Sequence, residues 1–74
     1  KKIIYVSCDA KLRESSIAVD LSNIQDKYPD VDIGSYPYSQ EAGFGTVLVM
    51  RATDESRVSK CKEEVEEMIK KFIN

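Results

Sequence analysis

Ahead of the first polar stretch the chain is mostly apolar, with Ile3, Tyr5 and Ser7 alternating with Ile4, Val6 and Cys8. That period, in β-branched and aromatic residues, predicts a strand over Lys2 to Ser7, buried on at least one face. After the polar stretch Asp9 to Arg13, Ile17, Leu21, Ile24 and Tyr28 recur at helical spacing, with Ala18 broadening the stripe. The pattern predicts an amphipathic helix. Ser15 and Ser16 read as capping residues in its opening turn, and Glu14 matches the positive end of the helix dipole. Pro29 has no amide to donate and closes the helix.

A second strand is expected from Val31 to Tyr36, with Val31, Ile33 and Ser35 on one face and Asp32, Gly34 and Tyr36 on the other. Gly34 marks a bulge or a close approach, and Pro37 is expected to end the ladder. Tyr38 to Gly43 reads as a hairpin loop of moderate length. A third strand, Phe44 to Ala52, holds the run Val47-Leu48-Val49-Met50, apolar on both faces and therefore central. Thr53 or Asp54 supplies a cap for a second helix, whose face is marked by Val58, Cys61, Val65, Met68, Ile69 and Phe72. Glu66 with Lys70 and Glu67 with Lys71 are placed to pair along its exposed side.

The order βαββα defines an α+β fold: a two-layer sandwich in which a three-stranded mixed sheet, order 1-3-2, carries both helices on one face. A right-handed crossover from the first strand to the second leaves the central place for the third. The other sheet face is left uncovered, and Tyr5, Tyr36 and Val47 or Leu48 are candidates for an apolar patch there, of the kind that meets another domain.

Composition narrows the function. Seventy-four residues, 42% hydrophobic and 32% charged, make one small domain, residues 1–74, near the lower size limit for a single core. A net charge of −2 and a pI near 5.0 give no pull on phosphate backbones or anionic lipid, so neither nucleic acid nor membrane is expected as a partner. The longest apolar run is far short of a membrane span, and the chain opens on a strand-like segment; a cytoplasmic location is expected. Cys8 and Cys61 lack metal-ligand spacing and the chain has no histidine. Both read as small core residues, and no metal is expected.

No constellation reads as catalytic. Glu63, Glu64, Glu66 and Glu67 are flanked by lysines at helical spacing and read as a solvated face. Gly43 and Gly45 bracket Phe44 before a strand, the wrong context for cradling a phosphate, and read as a turn. Four tyrosines, with no cluster of basic residues among them, fit packing or an interface better than base stacking.

The run Tyr28-Pro29-Asp30-Val31-Asp32-Ile33-Gly34-Ser35-Tyr36-Pro37, preceded by Glu14-Ser15-Ser16-Ile17-Ala18, carries a resemblance. It is similar to the small subdomain that follows the molybdopterin-binding-like domain in FAD synthase and CinA-type proteins. The resemblance runs through Gly45 to Arg51 and Thr53 to Glu55, covering essentially the whole chain, with Asp9 to Arg13 as extra residues. It implies an excised, non-catalytic accessory subdomain of a nucleotide-processing protein, packing on a neighbouring domain that carries the chemistry. FAD or a related nucleotide and a divalent metal belong, on this implication, to the parent and not to this chain. Gly34, Ser35, Tyr36 and Pro37 become the interface or structural motif, and a homo-oligomer is a further partner. The KH-like description of the CinA version implies a nucleic-acid-binding alternative, but the GxxG loop of KH domains is missing; a ferredoxin-like small-ligand module is the other alternative.

Overall fold

In a computed structural model, which describes residues 2–41 and 43–73, the doubly apolar run Val47–Met50 lies in the middle strand of a three-stranded sheet. The elements follow in the order β1 (Ile4–Ala10), α1 (Glu14–Lys27), β2 (Asp32–Gln40), β3 (Gly43–Ala52) and α2 (Glu55–Ile73). The sheet order is β1-β3-β2, and both ladders are antiparallel. The sheet expected as mixed therefore has no parallel pair among the described residues: β1 and β2 run the same way but are separated by β3. Ala42, in the expected hairpin loop, and Lys1 and Asn74, at the ends of the expected domain, lie outside the described residues.

Alternation places Val6, Met50 and Ile33 in one row across the sheet and Cys8, Leu48 and Ser35 in the next. Both helices cover that face. The core joins Ala10, Leu48 and Met50 to Ile17, Ile24 and Tyr28 from α1, Val31 from the connection, and Val58, Cys61, Val65, Met68 and Ile69 from α2. Thr46, the one buried polar residue among the described residues, is satisfied by donating its hydroxyl to the Leu12 carbonyl at 2.9 Å.

Several boundaries depart from the sequence reading. β1 continues to Ala10 because Asp9 and Ala10 pair with Val47 and Thr46, and Ala10 is fully buried. β2 runs straight through Pro37, opposite Thr46, to Gln40. The Ile33 amide faces away from β3, where the Gln25 side chain accepts it at 3.0 Å. Pro37, four residues on, has the same outward parity, so its missing N–H costs the edge strand no ladder bond. Continuous pairing past Gly34 rules out a bulge, and the expected loop Tyr38 to Gly43 is a short turn after Gln40. Gly43, with φ 144, supplies there a backbone conformation that side-chain-bearing residues rarely adopt.

The helices begin differently. Asp54 caps α2, its Oδ1 accepting the Ser56 amide at 3.0 Å and the Arg57 amide at 3.4 Å. In α1 the cap position is Arg13, with no side-chain bond, so Ser15 and Ser16 do not cap it. Ala18 is exposed, Leu21 half-buried, and Phe72 is 40% exposed near the end of its stripe. Glu66–Lys70 and Glu67–Lys71 are not among the ion pairs of the described residues; the pair along α2 is Lys62–Glu66 at 3.7 Å.

Candidate functional site

The four residues Gly34-Ser35-Tyr36-Pro37 divide between the two faces of β2. Toward the helices, the Ser35 hydroxyl donates to Glu14 Oε2 at 2.5 Å, tying β2 to the first turn of α1. On the opposite face the Tyr36 ring folds back over Gly34, where a Cβ would lie 2.9 Å from the Tyr36 hydroxyl. Gly34 is thus a close approach, made by a side chain on its own strand.

Tyr38, two residues on, spans the whole sheet. Its ring crosses Gly45 of β3, and its hydroxyl donates to Asp9 of β1 at 2.8 Å while accepting from Lys11 Nζ at 3.0 Å. A Cβ at Gly45 would stand 2.5 Å from the Tyr38 hydroxyl and 2.7 Å from the Ala10 carbonyl oxygen. Gly45, read as part of a turn, is instead the seat of this clamp. Hydrogen bonds that Lys11 donates to Tyr38 and then to Asp9 raise its pKa, holding its ammonium charged. At the other end of the sheet Arg51 pairs with Asp32 at 2.6 Å. Between the polar ends run Tyr5, 63% exposed, half-buried Val49 and Val47, and Tyr36, 58% exposed. Leu48, the alternative to Val47 in this patch, points into the core.

A second cluster joins the far end of α1 to α2. The Tyr28 hydroxyl donates to Glu64 Oε2 at 2.5 Å, and Lys27 Nζ reaches Glu64 Oε1 at 2.6 Å. The bond to Glu64, reinforced by burial, pushes Tyr28 up to about 12; Lys27 and then Tyr28 hold the Glu64 carboxyl below its usual range. Arg57 stacks 4.5 Å from the Tyr28 ring centre and grips Asp30 through two 2.9 Å bonds. Glu64 is therefore an anchoring acceptor and does not belong to a fully solvated face. The sequence offered one signal for this: a tyrosine on an apolar stripe needs a partner for its hydroxyl.

These groups are engaged in contacts that hold the elements together. Cys8 and Cys61 are free thiols, both raised by burial, Cys61 to about 11. No group of three metal-ligating side chains forms among the described residues. A dinucleotide does not fit the helix starts, where phosphate would meet Glu14 on α1 and Asp54 with Glu55 on α2. On the open face Asp9 stands beside Lys11 and Asp32 beside Arg51, so the tyrosines lie between paired charges and meet no surplus of positive charge. No helix of the described residues is long and apolar enough to cross a membrane.

What this geometry offers is a surface: a sheet face with an apolar middle between polar ends, stiffened by a tyrosine laid across three strands. No curated protein and no solved structure matches the chain. A family model described as FAD synthase, middle domain, matches residues 2–74.

Proposed function

Because the chain belongs to the FAD synthase middle-domain family, we propose that it is a non-catalytic accessory subdomain, docking through its open sheet face onto the domain that carries the nucleotide chemistry. The observation that carries this reading is the patch of Tyr5, Val49, Val47 and Tyr36, apolar and uncovered while the opposite face is filled by both helices. Exposed apolar area of this kind is stabilised by burial against a neighbour. In this reading FAD or a related nucleotide, with any divalent metal, is held by the neighbouring domain, which is molybdopterin-binding-like as in CinA-type proteins. The chain's part is positional, in the cytoplasm where nucleotides are made.

The test uses a FAD synthase that contains this chain. The double variant Tyr5→Ser/Tyr36→Ser is expected to leave the chain folded, to raise protease sensitivity between the domains and to lower the melting temperature of the neighbour. The chain alone is expected to show no turnover of FAD, ADP-ribose or nicotinamide mononucleotide. Turnover at enzyme-like rates, or a double variant whose domains stay as tightly associated as before, would sink the reading.

A further inference from the structure

The two edges of the sheet are finished differently. On β2 the outward groups begin with the Val31 carbonyl and the Ile33 amide, and Gln25 takes both: Nε2 donates to Val31 O at 2.6 Å and Oε1 accepts from Ile33 N. Two residues beyond Ser35 comes Pro37, with no amide to offer. A side chain standing in for a strand, followed by a proline, is how natural edges are closed to further pairing.

β1 has neither device. Parity fixes which of its groups point outward. On β2 the odd-numbered residues face out, so the even ones bond β3 at its odd positions, including Gly34 opposite Val49 and Tyr36 opposite Val47. The even positions of β3 then bond β1 through Ile4, Val6, Cys8 and Ala10. The outward amides and carbonyls of β1 belong to Tyr5, Ser7 and Asp9, and no side chain hydrogen-bonds to them among the described residues. The strand has no proline, no bulge and no lysine, and it is flanked by Ile3, 55% exposed.

The helix above that edge is self-complementary. Arg57, Glu64 and Lys71 of α2 all reach α1 or the connection after it, meeting Asp30, Lys27 and Asp20. At about 100° per residue, Lys62 and Glu66 stand about 160° and 200° around the helix from Glu64, on the flank turned away from α1. That flank overhangs β1, against which α2 packs.

We propose that the chain forms a two-fold homodimer by antiparallel pairing of β1 with β1 of a second copy, centred on Ser7, making one six-stranded sheet. In this register Ser7 exchanges both backbone bonds with its counterpart, and Tyr5 exchanges them with Asp9 of the other copy. Val6 lies opposite Cys8, and Ile4 opposite Ala10, so apolar meets apolar on the helix-covered face, and no two like charges are opposed on either. The same axis runs the two α2 helices antiparallel about Glu64, setting Lys62 of each against Glu66 of the other. The arrangement is independent of what covers the open face, since both open faces end up on the same side.

Sedimentation of the chain over a wide concentration range tests it. The expected result is a reversible species of twice the 8.4 kDa chain mass, with the amides of Tyr5, Ser7 and Asp9 protected from exchange as it forms. Ser7→Lys, which puts like charges face to face at the axis, is expected to raise the dissociation constant at least about tenfold. Lys62→Glu is expected to weaken the dimer and Lys62→Glu/Glu66→Lys to restore it, a readout that a folding defect at Ser7 does not affect. A chain that stays monomeric at every concentration overturns the proposal. So does a dimer indifferent to both Ser7→Lys and Lys62→Glu, or β1 amides protected only by a neighbouring domain of a longer protein.

Discussion

The covered and open faces of the sheet alternate along the same three strands, yet they cohere by different physics. On the covered face Ala10, Thr46, Leu48 and Met50 are fully buried, and cohesion comes from apolar area, which is non-directional and tolerant of detail. On the open face Tyr38, Asp9, Lys11 and Gly45 hold β2 across β3 to β1 through contacts that each depend on one geometry. Alternation decides which residues share a face; it does not decide whether that face is held by bulk or by fit.

The contrast can be broken from either side. Leu48→Ala removes a fully buried side chain and should cost about 2 to 5 kcal/mol in denaturant unfolding. Met68→Ala should fall in the same range, and Ile33→Ala below it, because Ile33 is only half-buried beside the edge. Gly45→Ala is the sharpest challenge to the idea that the open face tolerates change. The Ala10 backbone cannot swing aside as a side chain can, so a loss of about 1 to 3 kcal/mol is expected, and a neutral result would show that Tyr38 is not seated there. Tyr28→Phe, which leaves the packing and deletes the bond to Glu64, should cost about 1 kcal/mol. Tyr5→Ser in the chain alone should stay within about 0.5 kcal/mol, since the side chain touches mainly solvent.

Tyr28 and Glu64 also give stability a pH dependence with two signs. The folded state binds the Tyr28 proton more tightly than its ordinary value of 10.0, so that stabilisation is complete below about pH 10 and is lost as pH rises through about 12. The depressed Glu64 carboxyl acts oppositely: its contribution is present above the ordinary carboxylate range and fades as acid protonates it. Unfolding followed against pH should show both limbs, and Tyr28→Phe should shrink the alkaline one to the part that the buried Cys61 thiol contributes.

Much of this architecture was legible in the residues. The stripe from Val58 to Ile69, the cap at Asp54, the central place of Val47–Met50 and the 1-3-2 order follow from period and connection length, which are local properties or topological necessities. The long hairpin arms were not, because Pro37 breaks a strand or not according to which side its nitrogen faces, and parity is set by pairing. Nor was the role of Glu64, whose partner Tyr28 lies 36 residues away, or of Gly45, whose reason is a ring arriving from another strand. Within Gly34-Ser35-Tyr36-Pro37, the bond from Ser35 to Glu14 was not legible either, because its partner lies 21 residues away.

Gln25 does more than finish an edge. By occupying the outward groups where β2 begins, ahead of Pro37, it sets the valence of the proposed assembly: the edge of β1 is left to a like partner and the edge of β2 is engaged. A unit with one such edge can only pair and stop, whereas a unit with two can be added at either end without limit. Gln25→Ala would free the Ile33 amide and the Val31 carbonyl together, and with them a route from a closed assembly to a growing fibre. An amide side chain on a helix, with a proline four residues beyond the amide it holds, thus keeps the edge of β2 from adding further strands.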